Sequence, residues 1–343
     1  MRGTARPMDE LRDRGRAAAD PREVPAGGWW DVLVRTVKEA KADGLPLLGA
    51  GVAFFFLLAL APALTALTGV YGLVADPSDA AGQVRDLLAA APQEVRDLVE
   101  EQLEAAAERE RRDALVAVVL GTALALWSAS AGVQHLLQAI NTAYDEDETR
   151  GFIKVRGLAL LLSIGAVVFL AAAVGVIAFL PAAVADTALG EPARLAIGIL
   201  RWPALAAAMV VALSVLYRIG PDRDDPQWRW VTIGSVTATV LWLVGSGLFS
   251  LYAARFGKYE DTYGALGAVV VVMLWLYLTA YAIVLGAELN AESERQTAKD
   301  TTTGHDRPLG AREAEAADTI GPTADQMKTG VPASADVASP SPG

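Results

Sequence analysis

Long stretches of apolar residues constrain this chain more than any other feature. Hydrophobic residues make up 53% of its 343 positions, against roughly 45–50% in a typical soluble domain. A helix crosses the roughly 30 Å hydrocarbon core of a bilayer with about 20 such residues. The sequence therefore predicts an all-α integral membrane bundle of six transmembrane helices, with spans at about 48–74, 114–140, 157–184, 196–217, 231–252 and 265–287.

The regions outside these spans are polar. Residues 1–28 form a basic leader, and residues 295–343 are rich in Thr, Gly, Pro, Ser and Asp. Such compositions bury too little apolar surface to offset the entropy of ordering. We therefore expect both ends to be disordered around a transmembrane domain at 29–294. Between the first two spans, residues 76–113 predict two amphipathic helices that are divided at Pro92 and either lie on the membrane surface or cap the bundle as a hairpin. The excess of Asp and Glu on their polar faces favours the cap.

The segment before the first span has a helical pattern of its own. Trp29, Leu33 and Val37 recur at helical spacing, with Lys38 and Lys41 nearby. This pattern fits an interfacial helix whose aromatic residues lie at headgroup depth and whose lysines face anionic lipid. A soluble helix packed on the membrane domain fits it equally well.

Charge and composition exclude several kinds of site. The net charge of -11 does not favour nucleic-acid binding, which normally needs a basic face. The chain has no cysteine and two histidines, so neither a thiolate site nor a zinc cluster is expected, and we predict no metal and no cofactor. His135 is interpreted as a hydrogen-bonded structural residue rather than a proton carrier. The oligomeric state is left open.

The distribution of positive charge predicts the orientation of the chain. The leader and the segments 150–156 and 218–229 are rich in arginine, whereas the loop 181–198 carries only Arg194. Loops rich in Lys and Arg stay in the cytoplasm. Both termini are therefore predicted to be cytoplasmic, with the hairpin at 76–113 outside.

Polar residues inside apolar helices are the candidate functional positions, because polar groups in lipid must find partners or water. Four of them follow one face of the second span, and three more are expected at the same end of the bundle, where they would line a substrate pathway. Pro62 is expected to kink the first span. The pathway candidates are Ser130, Gln134, Gln138, Asn141, Tyr144, Glu288 and Asn290.

Several short motifs together resemble the YihY/BrkB family. They are GVAFFF at 51–56 with Pro62, WSAS at 127–130, NTAY at 141–144 with Arg150, YR at 217–218 with Pro221, TYGALG at 262–267 and GAELN at 286–290. Their order and spacing cover roughly residues 29–294. The resemblance implies a bacterial inner-membrane protein of six transmembrane helices without a settled activity. Members have been labelled as ribonuclease BN, as serum-resistance factors and as candidate lipid exporters.

Two functions fit this reading. The first is a transporter or lipid translocator whose partners are membrane lipids and a lipid or amphipathic substrate. The second is a non-catalytic membrane scaffold or envelope-integrity factor, in which Glu288 pairs with Arg218 or Arg150. An enzyme is not expected, because the sequence offers no pair of nucleophile and base, and the ribonuclease label would need positioned metal ions or acid and base groups.

Overall fold

The computed structural model describes residues 14–74, 111–185, 190–255 and 265–329. Over these ranges the chain is helical, and the only extended pairing is an isolated bridge between Pro226 and Thr302. This confirms the all-α prediction. The helices are α1 (Ala26–Ala42), α2 (Leu45–Val74), α3 (Arg111–Ala143), α4 (Phe152–Ala185), α5 (Glu191–Ile219), α6 (Trp228–Arg255), α7 (Ala265–Glu294) and the short α8 (Glu315–Asp318) and α9 (Ala324–Thr329).

The six long helices α2 to α7 lie where the six spans were predicted. By length and composition, α4, α5, α6 and α7 can each cross a membrane. Helix α1 and the first part of α2, Leu45–Leu60, form a fifth candidate if they are taken as one span bent by 63°. Four or five crossing helices are thus supported by the described residues, and the sixth span stays a prediction.

Two sequence predictions lie at the edge of the described residues. Most of the amphipathic hairpin at 76–113 lies outside them, and its last three residues begin α3. Helix α2 continues through Pro62 to Val74, so this proline is internal to a helix, and the kink predicted there stays a prediction.

Small residues allow the helices to approach closely. A Cβ atom at Gly49 of α2 would lie 3.4 Å from the Cα atom of Tyr281 in α7, and one at Gly132 of α3 would lie 2.8 Å from the ring of Phe56. Close backbone approach of this kind holds membrane helices together. The core where α2, α3, α5, α6 and α7 meet contains Val52, Ile140, Leu213, Tyr217, Val231, Ala238, Val284 and Ala287.

The outward faces of the long helices are apolar. On a soluble protein, apolar patches of this extent usually mark an interaction surface. On a membrane protein they are the faces that contact lipid. Exposed residues of this kind include Leu161, Val168, Leu170, Leu195, Ile199, Val211, Val244, Leu248 and Leu251.

One end of the bundle is covered by polar chain. The last turns of α3, α5 and α7 and the first turns of α4 and α6 meet there. The segment 14–25, helix α1 and the segment 295–329 pack over them. We call this region the charged end.

Residues 14–28 and 295–329, for which disorder was expected, make specific contacts with the rest of the described chain. Arg16 donates to the backbone oxygens of Arg295 at 3.1 Å and Gly321 at 2.5 Å, and Arg312 donates to four backbone oxygens between residues 298 and 317. The alanines at 314, 316, 317 and 324 are buried. These segments are ordered by partners supplied from elsewhere in the chain, which composition does not reveal.

Candidate functional site

Helix α7 carries four polar residues in its last two turns, and all four are buried. Residues four apart on a helix share a face, so Glu288 and Glu292 point one way and Asn290 and Glu294 another. All four are at most 1% exposed. Groups of this kind are costly in an apolar interior unless they are paired, so their partners decide what the site can do.

Glu292 is held by two arginines. Arg35 of α1 binds its carboxylate through Nε and its backbone oxygen through a second nitrogen at 2.8 Å. Arg295 donates to the other carboxylate oxygen at 2.9 Å and also binds Asp145, which ends α3 in the left-handed conformation with φ 55°. This network joins α1, α3 and α7.

Glu294 forms a second, separate pair. Arg223, in the turn between α5 and α6, binds both of its carboxylate oxygens, at 3.2 and 2.8 Å, and both side chains are fully buried. The hydroxyl of Thr301 donates to the same carboxylate at 2.5 Å. The guanidinium of Arg223 also lies 5.1 Å from the ring centre of Tyr144. The paired charge and its hydrogen bonds offset the desolvation of both groups.

Asn290 joins α7 to α6. Its Oδ1 accepts from the backbone N–H of Gly234 at 2.6 Å, and its Nδ2 donates to the backbone oxygen of Val231 at 3.1 Å. Asn141 has the same role between two turns: it accepts from the N–H of Asp222 and donates to Glu148, both at 2.9 Å. In both cases the amide oxygen accepts from a backbone N–H of another segment, and the amide nitrogen donates to a second oxygen, the Val231 carbonyl for Asn290 and the Glu148 carboxylate for Asn141.

The other members of the predicted polar stripe have separate partners. Ser130 donates to the backbone oxygen of Trp127 at 2.7 Å. Gln134 accepts from Arg156 at 3.1 Å, and exposed Gln138 lies 3.0 Å from Nδ1 of His135. The His135 ring in turn stacks on the Phe55 ring with centroids 3.8 Å apart. That these residues line one pathway stays a prediction.

Glu288 differs from Glu292 and Glu294 in having no ion pair among the described residues. Its side chain is 1% exposed, yet among the described residues its Oε2 accepts no hydrogen bond. The charged groups that act on it most strongly are Glu292, Asp43, Arg295 and Asp145. Because Arg295 already binds Glu292 and Asp145, this cluster has more carboxylates than guanidinium groups to balance them.

Asp43 is the second carboxylate of this cluster without a described hydrogen-bond partner. It lies in the turn between α1 and α2, which Gly44 closes in the left-handed conformation with φ 65°. Partial burial and the nearby carboxylates of Asp145 and Glu39 raise the pKa of Asp43 to about 6. A proton or another cation would relieve the excess of negative charge that Asp43 and Glu288 share.

The pairing of Glu288 with Arg218 or Arg150 is wrong. Arg218 binds the Pro226 oxygen at 2.6 Å and Asp225 at 3.2 Å. Arg150 binds Glu148, whose pKa it lowers through their hydrogen bond, and donates to the Gly220 oxygen at 2.9 Å. Arg218 is therefore used within the turn that it precedes, and Arg150 binds Glu148 in its own turn and Gly220 in the turn between α5 and α6.

The packing of α7 against the end of α3 agrees with the sequence reading. Tyr144 lies in the same buried cluster as Ala287 and Ala291. Sequence reasoning missed the buried ion pairs at the end of α7, Arg35 with Glu292 and Arg223 with Glu294. The acidic residues at 292 and 294 were visible in the sequence, but their arginine partners lie 257 and 71 residues away.

Known proteins similar to this chain are membrane proteins or carry functional labels without a mechanism. The sequence profile of the family described as virulence factor BrkB matches residues 36–310. Ribonuclease-like protein YfkH of Bacillus subtilis (strain 168) is 33% identical over 71% of this chain and 87% of its own length. UPF0761 membrane proteins of Tolumonas auensis and Azotobacter vinelandii are 35% and 41% identical, each over 23% of this chain and over 26% and 19% of their own lengths. No solved structure is significantly similar to the chain.

Proposed function

Since the chain belongs to the BrkB family of membrane proteins, we propose that it is a multi-pass protein of the bacterial plasma membrane that translocates a lipid or another amphipathic substrate. Its six helices would cross the membrane, with both termini and the charged end in the cytoplasm. The arginine-rich turns at 150–156 and 218–229 support this orientation.

The observation that carries the transport proposal is the buried carboxylate of Glu288. A buried ionisable group in a membrane helix is costly, and such groups typically mark a substrate pathway or a proton relay. Glu288 lies at the end of an apolar helix, and among the described residues its Oε2 accepts no hydrogen bond and the carboxylates around it outnumber the guanidinium groups. Such a cluster of carboxylates suits a cation, either a proton that is exchanged during transport or the cationic headgroup of an amphipathic substrate.

A reconstitution assay tests this proposal. The purified protein would be placed in liposomes with a fluorescent phospholipid, and transfer between leaflets would be measured with an impermeant quencher. We expect the transfer rate of the wild type to exceed that of protein-free liposomes. The transfer rate of Glu288→Gln should be lower by at least about tenfold, which corresponds to about 1.4 kcal/mol of lost stabilisation. Glu313→Gln, an exposed carboxylate of the charged end, is the matched control.

Each outcome of this assay has a definite meaning. Transfer by the wild type that Glu288→Gln retains would remove Glu288 from the mechanism while keeping the transport function. No transfer by folded wild-type protein, over a panel of anionic, zwitterionic and cationic lipids, would count against translocation itself.

A non-catalytic scaffold or envelope-integrity factor is the second candidate. It is favoured by the use of Asn141, Asn290 and Ser130 in bonds between or within helices, because side chains used in this way are not free to bind a substrate. A scaffold predicts that a Glu288→Gln strain keeps its envelope phenotype and that the protein co-purifies with a defined partner.

We also propose that the chain has no enzymatic role, although its relative YfkH is named ribonuclease-like. Within the described residues, no group of three or more His, Asp or Glu side chains is placed to hold a metal ion. RNA cleavage by the purified protein with added Mg²⁺ or Mn²⁺, if it is abolished by substitutions at the charged end, would overturn this.

A further inference from the structure

Helix α1 has an exposed apolar face, and we propose that this face lies in the interface of the bilayer, against the headgroups of anionic lipids. We call it the outer face of α1, and it consists of Trp30, Leu33, Val37, Lys38 and Lys41. The inference concerns how the protein sits in the membrane, and it holds whether or not the chain transports a substrate.

No described part of the chain covers the apolar residues of the outer face. Trp30, Leu33 and Val37 are exposed at 60%, 49% and 57%. Their spacing of three and four residues places them on one side of the helix. A tryptophan among aliphatic residues on such a side is typical of a helix at headgroup depth, where one part of the indole is wet and the other apolar.

The opposite face of α1 is fixed to the protein, so the helix cannot turn its outer face inward. Asp31 binds Arg14 at 3.0 Å and accepts from the N–H of Ala324 at 2.8 Å. Arg35 is buried against Glu292, and Val32 is fully buried. These polar anchors also keep α1 at the charged end rather than across the membrane.

The charges beside the apolar residues indicate that anionic lipid covers the outer face of α1. Lys38 and Lys41 are exposed beside the apolar residues. The acidic residues of this region, Glu39 and Asp43, are half-buried and lie on the other side of the helix. A strip of apolar residues bordered by lysines fits an anionic lipid surface, which attracts basic groups within about 10 Å.

The position of α1 relative to α2 supports the same occupant. The two helices meet at Gly44 with a bend of 63°. Helix α2 continues the apolar surface through Leu47, Phe54 and Leu58, which are all exposed. If α2 crosses the bilayer along its normal, then α1 runs close to the plane of the membrane, with its outer face continuous with the lipid-facing surface of α2.

Spin labels provide a direct test, because the natural chain has no cysteine. Leu33→Cys, Val37→Cys and the control His305→Cys, at an exposed position of the charged end, would each be labelled in the full-length protein. Each variant would then be reconstituted in vesicles of phosphatidylcholine with or without phosphatidylglycerol. Collision rates with oxygen, which enters lipid, and with a nickel chelate, which stays in water, report depth.

We expect the labels at positions 33 and 37 to favour oxygen over nickel, and the label at 305 to show the reverse. Insertion should be deeper in vesicles that contain phosphatidylglycerol. The Lys38→Gln/Lys41→Gln variant should lose this dependence on phosphatidylglycerol. Each lysine that is removed should weaken the attraction to anionic vesicles by up to about fivefold.

Three results would overturn the proposal. The first is a label at position 33 or 37 that is as accessible to nickel as the label at 305. The second is a depth that does not depend on anionic lipid. The third is spin–spin broadening that disappears on dilution with unlabelled protein, which would assign the outer face to contact with a second copy of the chain.

Discussion

Arg223 and Glu294 show how a single buried pair specifies the arrangement of the charged end. Both side chains are fully buried, and their two hydrogen bonds connect the turn after α5 to the last residue of α7. A buried pair contributes little net stability compared with apolar residues of the same volume, but breaking it leaves an uncompensated charge. The value of this pair therefore lies in its specificity for one arrangement of the helix ends.

The single variant Arg223→Met should be much less stable than the double variant Arg223→Met/Glu294→Met. The single change leaves the Glu294 carboxylate buried without a counterion and should cost about 3–5 kcal/mol. The double change should cost about 1 kcal/mol, mainly the lost hydrogen bond of Thr301. Unfolding in mixed detergent micelles measures both, and equal losses in the two variants would contradict the argument.

Asp43 should make stability depend on pH. Because the pKa of Asp43 is raised from 3.8 to about 6 in the folded protein, the folded state holds the proton more tightly, and this contribution is lost as pH rises through that range. Asp43→Asn should therefore stabilise the protein at pH 7 and have little effect at pH 4. Because the side chain is only half-buried, solvent screening limits the effect to about 1 kcal/mol.

Thermal unfolding at a series of pH values checks this prediction, with the exposed Asp306→Asn as the control. The measured quantity is the difference in unfolding temperature between Asp43→Asn and wild type. If this difference is the same at pH 4 and pH 7, the carboxylate does not titrate between these pH values.

At the scale of the helices, glycine sets the contact between α6 and α7. A Cβ atom at Gly234 would overlap the backbone oxygen of Gly286 and the side chain of Asn290. Asn290 uses the same close approach to reach the N–H of Gly234 at 2.6 Å. The two backbones can therefore approach this closely only because Gly234 has no side chain.

Gly234→Ala should separate the two helices and cost about 1–3 kcal/mol from overpacking. Gly247→Ala, in the same helix but with no atom within 4 Å of the added Cβ, should change stability by less than about 1 kcal/mol. Chemical unfolding of both variants in the same detergent gives the comparison. An equal effect would mean that helix propensity, rather than the contact with α7, governs position 234.

At the scale of the whole molecule, the charged end is a polar region at one end of the helices, and it must lie on one side of the membrane. Segments 14–25 and 295–329, helix α1 and two turns cover the same ends of the helices. Gly190 and the first residue of α5, Glu191, lie at the other end of the bundle. The proposed orientation places the first of these ends in the cytoplasm.

Single-cysteine variants test that orientation. An impermeant maleimide should label His305→Cys only after the cells are opened, and should label Gly190→Cys in intact spheroplasts, since the two positions are exposed at opposite ends. Labelling of position 305 from outside would reverse the proposed topology.

The sequence by itself determined the all-α class, the family resemblance and the positions of the six long helices. This was possible because hydrophobicity and helical spacing are local properties of the chain. It also indicated that the ends of α3 and α7 meet. It did not predict the order of residues 14–28 and 295–329 or the partners of Glu292 and Glu294, and it assigned Glu288 partners that it does not have. Those features depend on which distant segments meet at the charged end. Only the tertiary structure brings Arg35 and Arg223 to α7, and among the described residues it gives Glu288 no counterion of its own.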